Sequence, residues 1–441
     1  MPRVRDADHL RVGLRVLPGA VRGAVFHEII TRGGAAREGG LYPESGARLP
    51  AFIAARANPA AALGGLRVAV VGAGSVGRSL ALGLARLNVA CLWIVDPARY
   101  KPESLLTQPI GPDDVLQKKA SNTGRACKRV SPRTRVFVHD GTAQSLPAIA
   151  FAEADLVLLA SDNLSTEVEV GQACIHLHKP LVQASVHGDS LVAQVRFFGN
   201  AGGEGPCPAC SYGPAEWRLL NEEAVFRCGG EVSGSTDADI PSKVVPTMSV
   251  AFLCSLAADL ALVQVGRHAI GLGGAVADTL LEYCGYTHAT TVSPILRNPD
   301  CACEHAAWAQ VAPPRPLAEC SLRDLAVAAA AGADDEETAY GIDDAEYVET
   351  AACPCGASAP VRRFVRPGSA VGRCPSCGAP LRAHGFFTHR LARATSIPSL
   401  IDRPIGDLAP EPRWVVVRRG DRTTLLRHHA VNGHHDRQKD A

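Results

Sequence analysis

The sequence predicts an α/β protein: a doubly wound, mainly parallel sheet with an antiparallel extension, followed by a small cysteine-rich unit. Three observations lead there. Short apolar runs recur between residues 67 and 183 with helical stretches between them. A glycine-rich turn follows the first of those runs and opens a helix. Eight of the fifteen cysteines fall into four close pairs, two of them near the C-terminus.

Taken in order, residues 1–65 read as an N-terminal helical arm, Arg-rich and amphipathic at first, then spotted with glycine and proline up to Leu63-Gly64-Gly65. Arg67 to Val71 is a β-branched run that predicts a buried strand, and a helix from Arg78 to Leu87 follows the glycine turn. Cys91 to Val95 predicts the second strand; Arg135 to Val138 and Asp155 to Leu159 predict two more, with a helical segment between them. Strands alternating with helices give a parallel sheet covered on both faces, a Rossmann-like arrangement. Pro180 to Gln183 adds a strand, and Ser190 to Phe198 alternates like an antiparallel one. Met248 to Val265 is the most apolar long stretch. Asp259 and Gln264 interrupt it, so it reads as a buried helix, since a membrane span needs roughly 20 residues almost free of charge.

These elements place a main domain at 66–310. Residues 311–349 hold Pro-Pro, an alanine run and the cluster Asp334-Asp335-Glu336-Glu337, and read as an acidic linker or a peripheral helix. A zinc-ribbon-like unit with a hairpin around Gly420-Asp421 is expected at 350–430, and a disordered polar tail at 431–441.

The 45 basic and 44 acidic residues nearly cancel, which argues against general affinity for nucleic acid or an anionic membrane. Met1 to Leu10 is charged and lacks the pattern of a secretory signal, so a cytoplasmic location is expected. In a reducing compartment, clustered cysteines bind metal or do chemistry more often than they form disulfides.

Gly72-Ala73-Gly74-Ser75-Val76-Gly77 sits between a strand and a helix, the context in which backbone N–H groups and the helix dipole receive a phosphate. Asp96 ends the second strand, 24 residues after Gly72, where a carboxylate can accept from both ribose hydroxyls. A nicotinamide dehydrogenase is the usual owner of this pattern, and three features oppose it. Ser161-Asp162-Asn163 follows the fourth strand, where Asp162 can hold Mg²⁺ beside a triphosphate. Lys118-Lys119 lies within reach of phosphates in the same crevice. Cysteine pairs close the domain.

Residues 66 to 305 resemble the ThiF/MoeB/HesA family, the adenylating core shared with ubiquitin-activating enzymes. The resemblance rests on the spacing from Gly72 to Asp96 and on Gln108-Pro109, Lys119 and Ser161-Asp162-Asn163. It also rests on Gly205-Pro206-Cys207-Pro208-Ala209-Cys210 and Arg297-Asn298-Pro299-Asp300-Cys301. It implies ATP-dependent adenylation of the C-terminal glycine of a ubiquitin-like or sulfur-carrier protein. By this resemblance Gly72, Gly74, Ser75, Gly77, Gln108, Ser161 and Asn163 belong to the nucleotide site. Asp96 binds ribose, Lys119 contacts phosphate and Asp162 binds Mg²⁺. A homodimer is implied too. Three positions depart from the family: Ser104 replaces Asn, Thr107 replaces Arg, and Glu167 stands where Arg is common. Arg78, Arg99 or an arginine from a partner's arm are the candidate substitutes for the missing cations. The same departures keep open a non-catalytic scaffold that binds a peptide for another enzyme.

Cys207 and Cys210 form a CxxC pair and Cys301 and Cys303 a CxC pair, four thiolates of the kind a structural Zn²⁺ site requires. His305 is the reserve ligand if the CxC bite is too tight. Cys353, Cys355, Cys374 and Cys377 repeat the two spacings in reverse and read as a second zinc site. Some members of the resembled family pass the adenylated carrier to a cysteine on a loop after the first pair. Cys228, beside Arg227, fits that place, and an ordinary free thiol is the alternative. The extra zinc unit suggests recruitment of the carrier or of a conjugating enzyme.

Overall fold

The computed structural model describes residues 11–15, 27–32, 59–143, 146, 148–200, 205–220, 250–271, 277–343, 345–366, 369–383, 388–409 and 412–427. The chain divides into two compact units, Met1–Ala306 and Ala307–Ala441.

In the first unit the strands are β1 (Arg11–Arg15), β2 (His27–Arg32), β3 (Arg67–Val71), β4 (Cys91–Val95) and β5 (Arg135–His139). They continue with β6 (Leu156–Leu159), β7 (Leu181–His187), β8 (Val192–Phe198), β9 (Thr279–Cys284) and β10 (Ala289–Pro294). The helices that frame the site are α1 (Ser75–Arg86), α2 (Lys119–Val130), α3 (Leu164–His176) and α4 (Ala251–Ile270). All ten strands form one sheet in the order β1-β2-β5-β4-β3-β6-β7-β8-β9-β10. From β5 to β7 every pairing is parallel; β8, β9 and β10 extend the sheet antiparallel on one side, β2 and β1 on the other. The chain runs outward from β3 to β4 and β5, then returns to place β6 on β3's other side. This reversal opens a crevice at the strands' C-terminal ends.

Valine and leucine of β3 and β6 are buried throughout, as central strands covered on both faces must be. Leu80 and Leu84 form the buried stripe of α1, and Leu253, Ala257 and Ala261 that of α4; both belong to one core with Val68, Val70, Leu156 and Leu158. α4 is long and apolar enough by composition to cross a membrane. Its small residues face the sheet, while Phe252 and Val263 are exposed, so the expected buried helix is buried on one face only. Gly271, at φ +68°, ends it in the left-handed cap that glycine adopts readily.

The N-terminal arm, expected to be helical, contributes two strands and one short helix, Pro59–Gly64, among its described residues. β2 pairs with β5, a long-range contact that local helical periodicity does not reveal.

The second unit holds β11 (Ala309–Val311), helix α5 (Leu322–Ala328), β12 (Thr338–Ile342), β13 (Glu346–Ala352), β14 (Ser358–Val365) and β15 (Ala370–Arg373). It ends with β16 (Pro380–Ala383), β17 (Thr388–His389), β18 (Ala392–Arg393), β19 (Trp414–Arg419) and β20 (Arg422–Arg427). One sheet runs β11-β20-β19-β12-β18; the other runs β14-β13-β16-β15, with β17 also on β13. The described residues of 311–349 are therefore folded, with α5 as the helix that was the alternative to a linker. Ser321 and Asp324 form a capping box at the start of α5, and Leu322, Leu325, Tyr340 and Ile342 share a core with Val415 and Leu426. The acidic cluster is tied down: Asp334 meets Arg323 at 2.7 Å and Asp335 meets Arg419 at 2.9 Å. The terminal hairpin β19–β20 pairs with β12, in a different sheet from β13–β16, the strands that flank the cysteine pairs. Residues 431–441, expected to be a disordered tail, lie outside the described residues.

Leu325 separates a folded segment from a linker. Leu325→Ala removes a fully buried side chain and is expected to lower the unfolding free energy by about 2–5 kcal/mol, read as a reduced urea midpoint. A linker residue would leave the midpoint unchanged.

Candidate nucleotide site and metal centres

β3 ends in a turn that only glycine can make. Gly72 has φ +92°, and a Cβ there would stand 2.5 Å from Ala160 O at the exit of β6. Gly77 lies beneath the same turn, where a Cβ would fall 1.9 Å from Gly72 O, so it holds the loop against α1 rather than facing the cavity. Gly74 has open space where a side chain would project. The result is a cavity of about 750 Å³ over the C-terminal ends of β3, β4, β6 and β7.

Gly72, Gly74, Ser75, Asp96, Gln108, Lys119, Ser161, Asp162 and Asn163 all line this cavity. Asp96 accepts the Ala73 N–H at 2.6 Å and the Ala98 N–H at 2.8 Å, which fixes the carboxylate beside the glycine turn. Burial pushes its carboxyl pKa up; the Lys119 cation and the two N–H groups oppose the rise. Of the two lysines, Lys118 donates to Pro97 O at 3.0 Å, leaving Lys119 as the one on the cavity wall. Asn163 caps α3 by accepting the Thr166 N–H at 2.8 Å, which positions Asp162 at the mouth of β6. Gln108 Oε1 is buried with no hydrogen-bond partner among the described residues. The glycine cradle, that orphaned acceptor and the Asp/Lys donor set fit a magnesium nucleotide.

The two arginines offered by the sequence as replacement cations do not line the cavity. Arg78 is buried, donating to Tyr100 Oη and Asn122 Oδ1 at 2.8 Å, Thr123 Oγ1 at 3.1 Å and Pro109 O at 3.2 Å. Arg99 donates to Leu116 O in an exposed contact. The arginine that does line it, among the described residues, is Arg196 on β8, which sequence reasoning missed. Glu167 is buried in the same wall and accepts from Tyr212 Oη at 2.8 Å. Burial raises the Glu167 pKa, against hydrogen bonds from Tyr212 and Gln183 and the charge of Arg196. The alternation of Ser190 to Phe198 contained the clue, because it puts Gln194 and Arg196 on one face. Thr107 also lines the cavity, while Ser104 is buried, its Oγ accepting the Lys101 N–H.

The ThiF family model matches residues 49–304, more than half of the sequence. The chain belongs to the ThiF family. Curated relatives include the adenylyltransferase and sulfurtransferase MOCS3-2 of Zea mays, 33% identical over 147 residues, covering 33% of this chain and 30% of that protein. Another is the probable adenylyltransferase/sulfurtransferase MoeZ of Mycobacterium tuberculosis, 33% identical over 123 residues, covering 27% of this chain and 31% of that protein. The chain thus spans about a third of the length of the curated relatives it matches. Among solved structures, E. coli MccB with ATP aligns at a TM-score of 0.41 and 14% identity, covering 55% of this chain and 67% of that one.

In this ThiF-family chain the first cysteine group does not close with the four thiols named by spacing. Cys207, Cys210, Cys301 and His305 have donor atoms within 4.8 Å of one another. Cys303 lies beside Cys207 but outside that mutually close set. The Sγ distances from Cys207 to Cys210 and Cys301 are both 3.8 Å, and Cys210 Sγ lies 3.6 Å from His305 Nε2. A tetrahedron with Zn–S of about 2.3 Å has edges near these lengths. His305 Nδ1 sits 3.0 Å from Gly205 O, an arrangement in which Nδ1–H donates and Nε2 is free to bind metal. The second group, Cys353, Cys355, Cys374 and Cys377, is also mutually close, with Sγ pairs at 3.5 and 3.6 Å. Cys228 lies outside the described residues.

Two outcomes are expected. Metal analysis of the purified protein gives two zinc per chain; His305→Ala lowers the content toward one, whereas Cys303→Ser keeps both. ATP affinity, measured by calorimetry from pH about 8 down to about 5, falls as Asp96 gains a proton. Because burial raises that pKa, the fall begins above the ordinary carboxylate value of about 4, and Asp96→Asn flattens the profile.

Proposed function

We propose that the first unit binds Mg·ATP and adenylates the C-terminal glycine of a ubiquitin-like or sulfur-carrier protein. The observation that carries this is the meeting of Asp96, Lys119 and Asp162 around the glycine turn in one cavity. Asp96 accepts from the ribose hydroxyls, the N–H groups of the turn receive phosphate oxygens, and Lys119 offsets the charge that develops on them. Mg²⁺ held by Asp162 neutralises phosphate charge when bound. A carboxylate oxygen of the carrier attacks the α-phosphorus, the bond to the β-phosphate oxygen breaks, and pyrophosphate leaves an acyl-adenylate. The names of the curated relatives, adenylyltransferases and sulfurtransferases, support this reading.

Cys228 is proposed as the next acceptor: its thiolate attacks the acyl carbon, AMP leaves and a thioester remains. The protein works as a cytoplasmic homodimer in this reading, and the second unit recruits the carrier or a conjugating enzyme. A scaffold that holds a carrier without activating it is the second reading. It is favoured by Glu167, a buried carboxylate in the cavity wall at a position where the family resemblance leads one to expect an arginine.

ATP–pyrophosphate exchange decides between them. Exchange dependent on a Gly-Gly carrier, reduced about 10²-fold or more in Asp162→Ala, is expected for the enzyme. ATP binding without exchange, across every Gly-Gly carrier tried, establishes the scaffold.

A further inference from the structure

Opposite the glycine turn, the cavity wall is a polar face of two antiparallel strands. Gln183 on β7 pairs directly with Arg196 on β8, and Ser185 pairs with Gln194. Residues opposite one another in such a pair share a face, about 5 Å apart. The alternate residues Val182, Ala184, Val195 and Phe197 point the other way, into the core. Packing accounts for that second face and not for the first.

Gln183 is 3% exposed. Its amide group donates to Glu167, which leaves Oε1 as the spare acceptor, and Oε1 takes no hydrogen bond from any described residue. Native proteins seldom bury an acceptor without a partner, so a missing donor is implied. Arg196, directly across, makes no hydrogen bond or close ion pair among the described residues, although it feels the charge of Glu167. Glu167 itself is engaged by the Tyr212 hydroxyl at 2.8 Å. An unused acceptor therefore stands beside an unused guanidinium. The nucleotide half of the cavity already has Asp96, Lys119 and the glycine turn, so ATP does not require this pair. What matches it is the last residue of a peptide chain, which offers one amide N–H and one carboxylate a single carbon apart.

We propose that Gln183 and Arg196 form the receptor for the C-terminal residue of the acyl substrate. Gln183 Oε1 accepts that residue's N–H, and Arg196 draws its carboxylate toward the α-phosphate. The proposal rests on the adenylation reading above. Glu167 serves as a positioning residue: it orients the Gln183 amide and tempers Arg196, so the carboxylate is guided without being locked in a tight ion pair that would blunt its attack.

The test is ATP–pyrophosphate exchange by the full-length protein with three synthetic decapeptides at millimolar concentration, ending in Gly-Gly, in Gly-sarcosine and in Gly-Gly-amide. Sarcosine keeps the carboxylate and replaces the N–H with N–CH₃. The wild type is expected to use the Gly-Gly acid, to lose about tenfold or more in kcat/KM with the sarcosine peptide, and to ignore the amide. In Gln183→Ala the Gly-to-sarcosine ratio falls toward one. Arg196→Ala raises the peptide KM about tenfold while the ATP KM stays within about twofold, and Arg196→Lys recovers part of the loss. A ratio unchanged in Gln183→Ala, or an Arg196→Ala effect on ATP KM instead of peptide KM, overturns the proposal and leaves adenylation standing. Absence of exchange in the wild type with both the Gly-Gly acid peptide and Gly-Gly carrier proteins overturns the adenylation reading, and this proposal with it.

Discussion

The cavity depends on one close approach between two backbone segments, Gly72 at the end of β3 and Ala160 at the end of β6. These strands are parallel neighbours, and a side chain at residue 72 would meet Ala160 O at 2.5 Å. Because that approach is possible, Gly72 N–H reaches Val95 O at 2.8 Å and Ala73 N–H reaches Asp96. The same contact sets where the chain leaves β6, and so where Ser161, Asp162 and Asn163 stand. The carboxylates proposed to take ribose and metal, Asp96 and Asp162, follow separate strands, yet their spacing follows from a single constraint at the crevice.

Arg78 shows how the fold uses a cation it has buried. Its guanidinium has four acceptors around it, one of which, Pro109 O, belongs to the segment after β4 that also carries Thr107 and Gln108. Tyr100, Asn122 and Thr123 hold the other end, and the ring of Tyr100 lies 5.5 Å from the guanidinium carbon. Breaking that network would strand a buried charge, so Arg78 cannot swing into the cavity at small cost. A basic residue near the glycine turn in sequence is thus a structural pin, while the arginine that lines the cavity comes from β8, more than a hundred residues later.

What could be read from the sequence was what short-range physics encodes. The strands from Arg67 to Gln183 announce themselves as apolar runs, and the Gly72 turn has its own backbone signature. Asp96, Lys119 and Asp162 follow at strand and helix ends, where such sheets place ligands. What escaped depends on distant partners. β1 and β2 acquire their identity by pairing with β5, and residues 311–349 fold because Leu325 and Tyr340 meet Val415 and Leu426. CxC spacing names thiols but not their mutual distance, so the choice between Cys303 and His305 waited for the fold. Arg196 was hidden for a similar reason: alternation assigns it a face but does not say that the face looks into a cavity.

Charge in the cavity sharpens the chemistry. Among the described residues, Asp96, Asp162, Glu167 and Glu216 line it against Lys119 and Arg196, an excess of two carboxylates over cations before any nucleotide arrives. A triphosphate is itself strongly anionic, and in a partly desolvated crevice repulsion of this kind is far stronger than in water. Burial shifts part of the balance by raising the Asp96 and Glu167 pKa values, but Asp96 must stay ionised to serve the ribose best. The remaining relief has to come with the ligand. A divalent cation on the phosphates beside Asp162 is therefore an electrostatic requirement of the proposed reaction, and the loss of family cations at Thr107 and Glu167 makes that requirement stricter here. Arg196 cannot remove it, because the neighbouring Glu167 already offsets its charge.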